Sequence, residues 1–106
     1  LWWDVLEDIV CKSERIFVDT ARGRMTYEAE TPAQKFRANT QIHNYLTTEL
    51  PEEEQRRVLR VLAAQAGIDA GRVATETLMD WDEIRRIAAH PLITIGAHTL
   101  NHYNLK

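Results

Sequence analysis

Apolar residues recur along the chain with three different rhythms. In Leu1-Trp2-Trp3-Asp4-Val5-Leu6-Glu7-Asp8-Ile9-Val10 they fall at 2, 5, 6, 9 and 10, the i, i+3, i+4 stripe of an amphipathic helix, with acids early and Lys12 late to suit the helix dipole. Arg15–Asp19 and Arg24–Glu28 then read as two short strands around Thr20-Ala21-Arg22-Gly23, where Gly23 supplies the positive φ that a tight hairpin wants. A lone hairpin is marginal, so it must lie on helices or join a larger sheet. Thr31-Pro32-Ala33-Gln34 carries an N-cap, a Pro at the first helical position and a capping-box partner. That predicts a helix to about Leu50 with Phe36, Ile42, Tyr45, Leu46 and Leu50 facing inward. After Pro51, Glu52–Ala66 predicts another helix that buries Val58, Leu59, Val61, Leu62 and Ala66 and stops at Gly67, the two forming an αα-hairpin. Its Glu52-Glu53-Glu54 start and its arginines make a solvated face that follows the dipole rule.

The pattern weakens over Asp69–Thr77, which is polar and only weakly periodic, and residues 69–79 are read as a linker. Asp80 then caps a helix from Trp81, with Glu83 in the capping-box position, Ile84, Ile87 and Ala88 inward, and Trp81 beneath the segment that follows. His90, ahead of Pro91, marks the end of that helix. Leu92-Ile93-Thr94-Ile95 runs into Gly96 as a buried strand. The division expected is a helical unit with a β-hairpin over 1–68, the linker, and a helix–strand–loop unit over 80–106; the fold class is α+β, mostly helical.

Composition narrows the function classes more than it names one. At 106 residues and 44% hydrophobic the chain suits one modest core. A net charge of −3 with both signs interspersed gives no footprint for nucleic acid. No run approaches the roughly 18 apolar residues of a membrane span. The single cysteine, Cys11, has no partner for an internal disulfide and reads as a buried structural thiol. The opening on Leu1 and the close just after a His motif make the chain look like a piece of a longer protein, which leaves localisation open.

Chemistry is visible at His98 and His102. In extended backbone their imidazoles would lie roughly 13 Å apart at about 3.3 Å per residue, too far for one ion. A helical turn or tight loop brings i and i+4 Cβ atoms to about 5–6 Å, from which two nitrogens can converge on a cation. Gly96 gives the backbone freedom to turn there. The His-Glu-x-x-His arrangement is excluded, because Thr99 follows the first His. A His at a strand end is also often an ordinary hydrogen-bonding loop residue, and spacing alone does not choose between the two. His43, off its helix's apolar stripe, reads as solvated. Trp2 and Trp3 point about 100° apart on a helix, so they read as core or interface anchors in preference to a flat sugar platform.

The wording around the pair carries more. Trp81-Asp82-Glu83-Ile84-Arg85-Arg86-Ile87, then Leu92-Ile93-Thr94-Ile95-Gly96-Ala97-His98 and His98-Thr99-Leu100-Asn101-His102 resemble the polysaccharide deacetylase family (NodB homology, carbohydrate esterase family 4). There a Trp-x-Glu helix leads into a strand ending Ile-Gly-x-His and a His-(Ser/Thr)-x-x-His motif. Leu1-Trp2-Trp3-Asp4-x-Leu6-Glu7 looks, more loosely, like a segment of deacetylases with a long insert between their first two motifs. The close match covers about the last quarter of the chain, and Tyr103 departs from a frequent Pro.

The resemblance implies that His98 and His102 are metal ligands, commonly for zinc, with Thr99 bracing the loop. It implies a distorted β/α barrel interrupted by an inserted helical unit, and a polymer of N-acetylated sugars as substrate. The family's third ligand and catalytic base come from a Thr-Phe-Asp-Asp-Gly motif that this sequence lacks, so no catalytic residue is assigned here. The chain alone is expected to bind metal weakly, to be catalytically silent, and to hold its tail loosely or against another copy. The alternative is a helical interaction or scaffold module with an incidental His pair.

Overall fold

A computed structural model describes residues 1–100. Its elements, in order, are α1 (Trp2–Lys12), β1 (Arg15–Thr20), β2 (Gly23–Glu28), α2 (Pro32–Thr48), α3 (Glu52–Ala66), α4 (Ala70–Thr77) and α5 (Trp81–Ala88). The protein is a small, mostly helical α+β fold with one antiparallel hairpin among the described residues. None of the described helices is long and apolar enough to cross a membrane.

α1 sits at the centre. Its stripe of Val5, Leu6, Ile9 and Val10 is buried, and the helix packs against α2, α3 and α4. Cys11, expected inside, is exposed: it falls nearly opposite the middle of that stripe at about 100° per residue. The hairpin rests on helices instead of joining a larger sheet, β1 against α3 and β2 against α2. Ile16 and Val18 point inward, while Asp19 and Arg24 pair across the outer face at 2.8 Å and Arg24 lies over Phe17. Thr20 pairs with Gly23, which leaves Ala21-Arg22 as the loop and puts Gly23 at φ 110°.

Local signals set the helix ends. Thr31 and Gln34 form the reciprocal capping box behind Pro32. Gly67 closes α3 in the left-handed region at φ 69°, and the Ile68 N–H then donates to the Ala63 carbonyl while its side chain is buried. Two inward expectations in α2 and α3 fail. Phe36 is 77% exposed and Val61 44%, because each lies about 120–130° around its helix from the centre of the buried face. Ala38 and Gln55 fill buried positions instead.

The segment read as a linker is helical over Ala70–Thr77. The Asp69 carboxylate accepts from the Gly71 and Arg72 N–H groups at 2.9 and 3.3 Å, Arg72 pairs with Glu76 one turn on, and Val73 is the one buried residue. A two-turn helix that buries a single side chain leaves little apolar rhythm in a sequence. Beyond it, α5 and residues 89–100 stand away from the core, and the radius of gyration is 16.3 Å against about 13 Å for a compact chain of this length.

Burial holds the Tyr27 phenol above its ordinary pKa, with Tyr45 and Glu49 adding to the shift. A phenol harder to ionise in the folded state contributes stability that is intact below the unfolded value of about 10 and is lost as pH rises through the folded one. Thermal melts of Tyr27→Phe and the parent should therefore diverge above about pH 10, the parent falling faster. Parallel alkaline limbs would rule Tyr27 out as the group responsible.

Candidate functional site

Asp80 caps α5 as its spelling predicts: its carboxylate accepts from the Glu83 N–H at 2.8 Å, and Glu83 accepts from the Asp80 N–H at 2.9 Å. Asp82 and Glu83 fall in the first turn and Arg85 and Arg86 in the last, in accord with the helix dipole. The helix ends two residues before His90, whose carbonyl accepts from the Ile93 N–H at 3.1 Å and whose Nδ1 accepts from the Leu92 N–H at 3.2 Å. A tight turn thus separates α5 from the run toward His98.

The apolar face of α5 is not buried. Ile84 and Ile87 are half-buried, Ala88 is exposed, and Trp81 is 74% exposed instead of lying beneath the next segment. Residues 92–95, expected as a buried strand, form no strand, and Leu92 is 88% exposed. The physical reason is topological. A strand needs a sheet edge, and the sheet present among the described residues contains only β1 and β2. A hollow of about 470 Å³ opens between α5 and this run, lined by Met79, Glu83, Arg86, Ile87, His90 and Ile93.

Gly96 does not make the turn that was expected of it; its φ is not positive and an added Cβ would meet nothing within 4 Å. Thr99 is left-handed, with φ 42°, an uncommon conformation for a β-branched residue, and the chain bends at Leu100 just after it. It lies between the two His, where a chelating pair requires the chain to bend. His98 and Thr99 are exposed. His102, Asn101 and Tyr103 lie outside the described residues, so the distance between the two imidazoles does too.

As to fit, imidazole is a suitable donor for zinc, and His98 supplies one. Among the described residues no three His, Cys, Asp or Glu side chains come together as a cation site. His90 is engaged by its own turn through Nδ1. His43 is half-buried and stacked on Trp2 at 5.0 Å, where a solvated side chain was expected. Trp2 itself meets Trp3 at 77°, so the two indoles form no common plane. The contact was hidden from the sequence because His43 lies at the edge of the α2 face and only the reach of an indole from another helix covers it.

Compared with known proteins, the chain matches no family model, no curated protein and no solved structure.

Proposed function

We propose that residues 80–106 are the helix–strand–metal-loop unit of a metal-dependent polysaccharide deacetylase, with His98 and His102 as two ligands of a zinc ion and Thr99 bracing the loop between them. The observation that carries the reading is the uncovered apolar run after α5. Leu92, Ile93 and Ile95 are all substantially exposed although their spelling is that of a buried strand. Such a run is stable when flanked by parallel strands, and a β/α barrel supplies them together with a cover for the open face of α5. The capped helix over Trp81–Ala88 precedes this run, as the resemblance calls for, and the left-handed Thr99 falls between the two His.

When bound, the metal would polarise an acetamide carbonyl and make water a better nucleophile. This chain's own contribution is to orient the ion through two neutral imidazoles on a bent loop. The third ligand and the general base would be supplied by residues outside these 106, and the substrate would be a polymer of N-acetylated sugars.

Zinc calorimetry on the chain and on its His98→Ala/His102→Ala variant tests this, at a pH where imidazole is neutral. Weak binding is expected, with a Kd on the order of 10⁻⁵ M, falling at least about tenfold in the variant. His98 is exposed, and matching thermal melts of the two proteins separate a loss of binding from a loss of fold. Equal binding by both proteins, or none by either, would sink the metal reading. It would favour the second one, a helical interaction module, which has its own support in the exposed Trp81, Leu92 and Ile95 side chains.

A further inference from the structure

A second concave surface lies on the helical unit. The inner face of β2 presents Met25 and Tyr27, two residues apart and so on one side of the hairpin, toward the C-terminal half of α2. Gln41, Asn44 and Tyr45 line the opposite wall, three and four residues apart on one helical face. Between the walls is a groove of about 480 Å³, within the range of about 300–1,000 Å³ usual for small-molecule sites. At its end Arg22 from the hairpin loop approaches Glu49 to 3.8 Å.

The chemistry of the lining selects among ligands. Its single cation and single anion face each other, so the groove offers no net charge to a phosphate, an acidic peptide or a metal. The Tyr27 and Tyr45 rings are half-buried and packed on the core, which fixes them without any ligand. Their hydroxyls, and the exposed amides of Gln41 and Asn44, form no hydrogen bond with another described residue. An entirely apolar ligand would strip water from these four groups without replacing it. A sugar ring matches the set: its C–H faces lie on aromatic rings and its hydroxyls exchange hydrogen bonds with amides and phenols.

We infer that the groove between the hairpin and the C-terminal half of α2 binds a neutral oligosaccharide, through Tyr27, Tyr45, Gln41 and Asn44. The inference deepens the deacetylase reading and rests on it for one choice only, that of an N-acetylated probe.

The test is a titration of the isotope-labelled protein with N-acetylchitotriose and, separately, cellotriose, followed by amide chemical shifts. Expected are shifts confined to residues 20–27 and 41–50, with a Kd of about 1 mM for at least one probe. Gln41→Ala/Asn44→Ala replaces two exposed helical residues by a better helix former, so it folds, and it should weaken binding at least about tenfold. Absence of shifts with either sugar at about 10 mM, shifts outside the groove, or unchanged binding by the double variant would each overturn the inference. Failure here is separable from failure of the metal reading. The sugar titration does not involve His98 or His102, and zinc binding does not involve the groove.

Discussion

Leu6→Ala is expected to destabilise the protein by about 3 kcal/mol and to lower its Tm by about 15 °C. Leu6 is fully buried on α1, the one helix that packs against α2, α3 and α4 together. Truncation removes apolar surface from the core and leaves a cavity that three surrounding helices, each capped in place, cannot close by moving inward. Against a total of about 5–15 kcal/mol for a domain this size the loss is large. Phe36→Ala supplies the contrast. It removes a larger side chain, yet Phe36 is 77% exposed, so a change within about 0.5 kcal/mol is expected. Urea or thermal melts of both variants check the pair, and comparable losses would mean that Phe36 is buried after all and that α2 is turned on its axis.

That contrast marks where sequence reasoning succeeded and where it failed. The caps at Thr31, Asp80 and Gly67 were legible because each depends on a few neighbouring residues. Which apolar residues lie inside depends on helix phase, and a generous stripe takes in Phe36 and Val61 at its margins. α4 was missed for a related reason: Asp69 is a plain N-cap, but one buried Val73 makes no rhythm.

The candidate site fared differently. The capped helix and its end near His90 were readable, being local. A strand over 92–95 was not formed, because strand formation depends on a partner that spelling cannot supply. The same absence of a partner is why α5 shows its apolar side. Gly96 drew attention as a turn residue, while the left-handed residue is Thr99, a type that disfavours positive φ and so gives no warning.

Lys35→Met is expected to cost about 2 kcal/mol, a fall of about 10 °C in Tm, although the residue is half-exposed and the substitution keeps most of the chain's volume. The Lys35 ammonium donates to the carbonyls of Val10, Cys11 and Ser13 at 2.9, 2.9 and 2.8 Å. α1 needs this, because Ser13 leaves the helix in extended backbone at ψ 146° and no left-handed residue folds back to satisfy the last carbonyls. The positive charge also meets the negative end of the α1 dipole. Sequence rules place Lys35 badly, in the second turn's start of α2 where the dipole disfavours a cation. That local misfit is resolved only by the neighbouring helix. Lys35→Arg should recover part of the loss, since a planar guanidinium cannot aim three donors at three converging carbonyls as an ammonium does. Amide exchange should accelerate chiefly at the C-terminal end of α1 in the Met variant. A Met variant as stable as the parent would show that water caps α1 equally well and that the three contacts add nothing.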